Sequence, residues 1–304
     1  MDENPLLTAT LPQGSKKPLS KRKGTKKNPR GSAGKTKQDT SSQNSTASSP
    51  NISIVNSPET PLATPDDREV LFKPNAGPQT FFLASSEREV LYGGAAGGGK
   101  SYAMLADPLR YMVHPQFSGL LLRHTTEELR ELIWKSQELY PKIYPGIKWS
   151  ERKMQWEAPS GARLWMSYLD RDEDVLRYQG LAFSWIGFDE LTQWHTPFPW
   201  NYMRSRLRTA ASDLPIFMRA TTNPGGPGHA WVKKMFIDPS PAGKAFDATD
   251  IESSTTLVYP KGHSKEGQAL FKRRFIPAML ADNPYLMQTG DYETMLLSLP
   301  EHQR

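Results

Sequence analysis

Cysteine and long apolar runs are both missing from this chain of 304 residues. Without cysteine, disulfides and thiolate-ligated zinc are excluded, which is consistent with a reducing compartment. No apolar run approaches the roughly 18 residues that a membrane-spanning helix needs, and the N-terminus lacks the apolar block of a secretion signal. The sequence therefore predicts a soluble protein that does not engage a membrane.

Hydrophobic residues are also scarce from residue 1 to about residue 67, where Lys, Ser, Thr, Asn, Gly and Pro dominate. This composition buries too little apolar surface to offset the entropy of folding, so residues 1–67 are predicted to form a disordered basic tail. The first 50 residues hold ten Lys or Arg against three acidic residues, whereas the rest of the chain holds 28 against 29. The basic charge therefore belongs to the tail, which is either a solvated linker or an electrostatic arm for nucleic acid or an acidic partner.

Residues 68–304 are predicted to form an α/β domain, because apolar runs alternate with amphipathic stretches. This alternation is typical of a central, mostly parallel sheet flanked by helices. The predicted strands are 89–92, 119–123, 183–188 and 216–222, with a hairpin over 154–168. The predicted helices are 100–112, 126–140, 199–208, 229–236, 265–281 and 285–299.

The strongest motif lies between a predicted strand and a predicted helix, and it matches G-x-x-x-x-G-K-S, the P-loop of nucleotide-binding proteins. Its residues are Gly94, Ala95, Ala96, Gly97, Gly98, Gly99, Lys100 and Ser101. Glycines let backbone N–H groups curl around phosphates, and the helix N-terminus adds the positive end of its dipole. Lys100 is expected to contact the β and γ phosphates, and the Ser101 hydroxyl to bind Mg²⁺. A glycine-rich turn that precedes Lys-Ser by chance is the alternative.

A P-loop site needs a second Mg²⁺ anchor on a neighbouring strand, and the apolar run 185–188 ends in Asp189 and Glu190. Asp189 is the predicted metal-side ligand. Glu190 is predicted to polarise the water that attacks the γ phosphate. An acidic pair that only ends a strand is the alternative, and the P-loop upstream favours the functional interpretation.

Two amides are further candidates for contacts with the nucleotide. Asn223 ends an apolar strand and is predicted to contact the γ phosphate or the attacking water, although Asn-Pro-Gly-Gly is also good turn chemistry. Gln79 is predicted to hydrogen-bond to the polar edge of adenine, with a ring at Phe81 or Phe82 stacked on the base. A plain apolar strand start is the alternative. The guanine signature [NT]-K-x-D occurs only at 36–39, before the P-loop, so ATP is favoured over GTP.

The order of these motifs resembles the ATPase domain of phage large terminases over about residues 75–304. The resemblance rests on Gln79, the P-loop and the segments 121–125, 177–180, 188–190, 222–224, 227–236 and 275–286. Its most specific part is Asp282-Asn283-Pro284-Tyr285, together with the Asn223-Pro224 turn.

The resemblance implies a RecA-like (ASCE) P-loop ATPase that uses ATP and Mg²⁺ to drive double-stranded DNA into a viral procapsid. The implied partners are DNA, the portal protein of the procapsid, the small terminase subunit and further copies of the chain in a docked pentamer ring. The implied location is the cytoplasm of the host cell. The family also uses an arginine finger, which the resemblance places near Arg177, with Arg123 and Arg204 as weaker candidates.

Members of this family normally continue into a nuclease domain with an acidic two-metal cluster. No such spacing of carboxylates or histidines is found in this sequence, so we expect a motor domain over 68–304 without the nuclease domain. Two other functions stay open at this point: a RecA-like helicase or recombinase motor, and a nucleotide-dependent switch or scaffold with slow turnover.

Overall fold

The computed structural model describes residues 72–288 and 290–298, which are organised around one nine-stranded sheet. The strands are β1 (Glu89–Gly94), β2 (Ser118–Arg123), β3 (Lys148–Ser150), β4 (Gln155–Glu157), β5 (Arg163–Tyr168), β6 (Trp185–Phe188), β7 (Phe217–Thr222), β8 (Ala245–Asp247) and β9 (Lys272–Ala278). The helices are α1 (Pro78–Ala84), α2 (Lys100–Ala106), α3 (Thr126–Ile143), α4 (Phe198–Arg204), α5 (His229–Val232), α6 (Pro284–Met287) and α7 (Asp291–Ser298). The predicted tail, residues 1–67, lies outside the described residues.

The strands follow the order β3-β4-β5-β2-β6-β7-β1-β9-β8. The six strands from β5 to β9 in this order pair in parallel, whereas the pairs at both edges are antiparallel. The central strands β6 and β7 are buried along their whole length, as expected for parallel strands covered on both faces. The prediction of a mostly parallel sheet flanked by helices is confirmed.

Alternate side chains of the central strands enter two different buried clusters. Leu120 and Leu122 of β2 belong to the cluster that contains Trp194 and Trp200, whereas Leu121 belongs to the cluster that contains α3. Because successive strand residues point to opposite faces, the two clusters are the two layers of core on either side of the sheet. Within the described residues, no helix is both long enough and apolar enough to cross a membrane.

Helix α3 shows how local sequence sets an element that frames the site. Thr125 accepts a hydrogen bond from the backbone of Glu128, whose carboxylate accepts one from the backbone of Thr125, a reciprocal cap that begins the helix. Leu129, Leu132 and Tyr140 follow at helical spacing and are buried. This face packs on β2 and β5, and the first turn of α3 follows the carboxyl end of β2.

The predicted helix over 265–281 is wrong, because residues 272–278 form β9, the parallel neighbour of β1. In a local pattern, the three consecutive basic residues 272–274 favour an exposed surface. In the structure Arg273 is only 1% exposed, and its Nε lies 2.7 Å from the Glu89 carboxylate. A buried ion pair formed by residues 184 positions apart is not visible in a local pattern.

Two further predictions need correction. Gln79, Phe81 and Phe82 lie in the helix α1, so the alternative of an apolar strand start is wrong. The last predicted helix, 285–299, is divided into α6 and α7.

The topology brings the functional segments to one edge of the sheet. Since parallel strands end at the same edge, the residues that follow β1, β2, β6, β7 and β9 gather there. β1 lies between β7 and β9, so the segments after those two strands flank the P-loop on opposite sides. α1 packs against β9 and therefore lies on the β9 side.

Candidate active site

The P-loop motif joins β1 to α2, as the sequence predicts. Gly94 has φ 135° and Gly99 has φ 74°, both in the region that favours glycine. A Cβ on Gly94 would also collide with the carbonyl of Ala278 at the end of β9. The same carbonyl accepts a hydrogen bond from Ala95 N at 2.9 Å, so the start of the loop is tied to β9.

Lys100 is the first residue of α2, and its side chain is 6% exposed. Its Nζ donates to the carbonyl oxygens of Ala95 at 2.6 Å and Gly94 at 3.3 Å. Burial lowers the pKa of Lys100, and the carboxylates of Glu190 and Asp189 act in the opposite direction. The ammonium therefore lies inside the curl of the loop, where phosphate oxygens could replace the two carbonyl groups.

Asp189 follows β6 and is 1% exposed. One carboxylate oxygen accepts from the hydroxyl of Thr221 on β7, and the other accepts from Arg123 Nη1 at 2.5 Å. Neither contact with Asp189 is predicted from the sequence, although Arg123 ends β2 and Thr221 is the next-to-last residue of β7, the two strands that flank β6. The geometry fixes the carboxylate at the carboxyl edge of the sheet.

Glu190 adopts a left-handed backbone conformation, with φ 60° and ψ 57°. Its two carboxylate oxygens accept from Asn223 N and Asn223 Nδ2, both at 2.9 Å. Burial raises the pKa of Glu190, and repulsion from Asp189 adds to the rise. The structure thus brings together two residues that the sequence predicted separately, and it holds the carboxylate in a single orientation.

A cavity of about 1080 Å³ opens beside the P-loop. Gly97, Gly98, Gly99, Lys100 and Ser101 form its floor, Glu190 and Asn223 lie on the β6–β7 side, and Gln79, Asn283 and Tyr285 lie on the side of β9 and α1. A second cavity of about 230 Å³ also reaches Glu190 and Asn223 and is lined by Arg123 and Glu128. Glu190 is therefore accessible from both cavities.

The oxygen donors around the larger cavity fit a nucleotide with Mg²⁺. The Ser101 hydroxyl lines the cavity, whereas the Asp189 carboxylate, next to the lining residue Glu190, is only 1% exposed. Hydroxyl and carboxylate oxygens are the ligands that Mg²⁺ prefers, with phosphate oxygens completing its shell. In residues 72–288 and 290–298, no group of three or more His, Asp or Glu is placed to hold a metal ion.

A family model described as the terminase large subunit, T4likevirus-type, N-terminal, matches residues 91–253, which is more than half of the chain. This chain belongs to that large-terminase family. No curated protein is similar enough to the chain to match it.

Among solved structures, the large terminase of a thermophilic bacteriophage has a TM-score of 0.50 at 12% identity and covers 76% of this chain and 52% of its own. The complexes of the same terminase with ADP and with ATP-γ-S have TM-scores of 0.50 at 14% and 13% identity, and cover 76% of this chain and 52% and 51% of their own. This likeness establishes the shared fold, and the chain spans about half the length of those structures.

In this terminase chain, Gln79 contacts the P-loop. Its Nε2 donates to Gly99 O at 2.9 Å, and its Oε1 accepts from Asn75 N at 2.6 Å. Both ends of the amide are engaged at the cavity wall. Phe82 is fully buried and stacks on Tyr92 with ring centroids 5.3 Å apart, so it cannot stack on a base; the interpretation of Phe82 as a stacking ring is wrong.

The three arginines proposed as fingers lie in different places. Arg177 is exposed, donates to the carbonyl of Tyr168, and lies over the Tyr168 and Tyr178 rings at 5.5 and 5.6 Å.

Arg204 pairs with Glu89 at the start of β1. The P-loop follows the other end of this strand, so Arg204 is far from it along β1. Arg123 lines the smaller cavity beside Glu190. Of the three, only Arg123 lines a cavity that contains Glu190, while Arg177 lies at the surface and Arg204 lies at the opposite end of β1.

Proposed function

We propose that this chain is the motor part of a large terminase, which hydrolyses ATP with Mg²⁺ to move double-stranded DNA into a viral procapsid. The observation that carries the proposal is the pairing of Glu190 with Asn223 in the same cavity as Lys100. The terminase of the thermophilic bacteriophage, which has this fold, is known in complex with ADP and with ATP-γ-S, and this supports an adenine nucleotide as the ligand.

In the proposed reaction, P-loop backbone N–H groups and the Lys100 ammonium hold the β and γ phosphates. Ser101 and Asp189 would hold Mg²⁺, which, when bound, neutralises charge on the phosphates. Lys100 is buried and already faces the loop interior, so little reorganisation is needed when phosphate oxygens replace the carbonyls of Gly94 and Ala95.

Glu190 is the proposed group that orients and deprotonates the attacking water. As the water oxygen bonds to the γ phosphorus, the bond to the ADP oxygen breaks and the water proton passes to the carboxylate. The raised pKa makes Glu190 a stronger base than an ordinary carboxylate, and Asn223 holds the carboxylate in place. Asn223 lines the same cavity and is the proposed residue that reports loss of the γ phosphate to the turn that follows it.

The assembly proposed for the chain follows from its family. We propose double-stranded DNA, the portal protein and the small terminase subunit as partners, a pentamer ring when docked, and action in the cytoplasm of the host cell. Residues 68–304 would form the motor domain, with residues 1–67 as a tail. In such a ring, the exposed Arg177 would approach the γ phosphate of a neighbouring subunit as an arginine finger.

Replacing Glu190 with Gln tests the proposed function. The Glu190→Gln protein should bind ATP, because the side chain keeps its size and can still accept one hydrogen bond from Asn223. It should hydrolyse ATP about 10² to 10⁴ times more slowly, because the base is lost. Calorimetric binding and steady-state phosphate release measure the two effects separately.

Glu138→Gln, on the exposed side of α3, is the control and should match the wild type. Equal losses of binding and turnover in Glu190→Gln would make Glu190 a structural residue. ATP binding without hydrolysis by the wild type, even with DNA and portal present, would favour a nucleotide-dependent switch.

A further inference from the structure

The end of β9 and the segment that follows it are held against the P-loop by two hydrogen bonds. The Ala278 carbonyl accepts from Ala95 N at 2.9 Å, and Asn283 Nδ2 donates to Gly97 O at 2.6 Å. Within the segment, the Asp282 carboxylate accepts from Met279 N at 2.7 Å. Residues 279–286 therefore have a defined position relative to the phosphate-binding loop.

The strand order determines which end of a nucleotide this segment meets. The proposed γ-phosphate end lies at Glu190 and Asn223, which follow β6 and β7 on one side of β1. α3 follows β2 and belongs to the same side. The segment after β9 lies on the other side, so a nucleotide with its γ phosphate near Glu190 has its nucleoside directed towards Asn283 and Tyr285.

The chemistry of this side differs from that of the phosphate side. Tyr285 is 72% exposed although it lines the cavity, and Leu286 and Phe72 provide apolar surface near it. Asn283 Oδ1 is buried and has no hydrogen-bond partner among the described residues. An exposed aromatic ring with apolar residues in the same cavity suits a flat base better than it suits a phosphate.

We propose that Tyr285 stacks on the base of the bound nucleotide and that Asn283, through its bond to Gly97, positions this segment against the P-loop. The base then lies between Tyr285 and the wall formed by Phe72, Asn75 and Gln79. This inference rests on the proposed function, since it requires a nucleotide in the cavity. In this proposal, the residues after β9 determine the affinity for the nucleotide, whereas Glu190 determines the rate of ATP hydrolysis.

Calorimetry with ADP and Mg²⁺ on four full-length proteins tests the proposal: the wild type, Tyr285→Ala, Tyr285→Phe and Tyr259→Ala. Tyr259 lies outside the cavity, stacked on His263, and serves as the matched control. Tyr285→Ala should raise the Kd for ADP about tenfold, because stacking of a base on an aromatic ring is lost. Tyr285→Phe and Tyr259→Ala should bind as the wild type does.

Two further readouts separate a base contact from a structural role. Tyr285→Ala should raise KM for ATP and leave kcat unchanged, since the contact is the same in the ground state and the transition state. Inorganic pyrophosphate, which has no base, should bind equally to the wild type and to Tyr285→Ala.

Each outcome has one meaning. If the wild type does not bind ADP, the proposed function fails. If the wild type binds ADP and Tyr285→Ala binds it equally well, the base contact is wrong and the proposed function stands. Loss of kcat, or a matched loss of pyrophosphate binding, would show that Tyr285 acts through the P-loop and would overturn the stacking role.

Discussion

Glu190 combines a left-handed backbone with a carboxylate whose pKa is raised by burial. A residue with a side chain costs about 1–3 kcal/mol in such a conformation, so the surrounding structure must hold it there. Its backbone N donates to Thr221 Oγ1 at 3.2 Å, and its side chain is held by Asn223. The backbone strain thus lies at the proposed base itself, and Thr221 and Asn223 hold it there.

Replacing Asn223 with Ala tests this positioning. The carboxylate of Glu190 would keep its bond to the backbone N–H of residue 223 and lose its bond to the side chain. We expect kcat for ATP hydrolysis to fall about 10²-fold, because a small displacement of a reacting group is costly, while the Kd for ADP changes little. Asn201→Ala, exposed on α4, is the control, and an unchanged kcat in Asn223→Ala would remove this residue from the mechanism.

Among the elements, those with a local signal were predictable and those that depend on distant partners were not. The strand before the P-loop was predictable because it is a short apolar run. Helix α3 was predictable because its apolar residues recur at helical spacing within one segment. β9 was not, because Arg273 is buried only through its pairing with Glu89 on β1.

In the candidate site, the P-loop and the pair Asp189-Glu190 were predictable from their motifs and from the order of those motifs along the chain. The hydrogen bonds from Asn223 to Glu190 and from Arg123 to Asp189 were not, because they depend on strand order.

Glu89 joins three elements, because it accepts from Arg273 on β9 and Arg204 on α4 and lies at the start of β1. Burial alone would raise the pKa of Glu89, but the two arginines outweigh it and lower the pKa below 4.5. Glu89→Gln leaves Arg273 buried without a carboxylate, so we expect a loss of about 3–5 kcal/mol in the free energy of unfolding at pH 7. Urea denaturation measures this loss.

The pH dependence follows from the same shift. A lowered pKa stabilises the fold above the unfolded value of 4.5, and this contribution is lost as the pH falls through the lower folded value. The difference between wild type and Glu89→Gln should therefore be constant at neutral pH and shrink below about pH 4.5. Glu138→Gln, which breaks an exposed pair, is the control, and an equally small effect at Glu89 would contradict the proposed link between β1, β9 and α4.

At the scale of the whole molecule, the net positive charge and the described structure lie in different parts of the chain. The net positive charge is concentrated in the first 50 residues, whereas the described residues carry the sheet, both cavities and the family match over residues 91–253. The strand order places Glu190 and Asn223 on one side of β1 and Asn283 and Tyr285 on the other, and all four line the larger cavity. In the proposed mechanism, this one cavity serves both binding and hydrolysis.

Phosphate release from ATP by the wild type and by Lys100→Ala, with Mg²⁺ and in the presence of DNA, tests the central claim most directly. The wild type should turn over, and Lys100→Ala should show no measurable hydrolysis and weaker nucleotide binding, because the cation that faces the β and γ phosphates is removed. Lys272→Ala, at the opposite edge of the sheet, should behave as the wild type does. Wild-type turnover in Lys100→Ala would contradict the assignment of ATP hydrolysis to this P-loop.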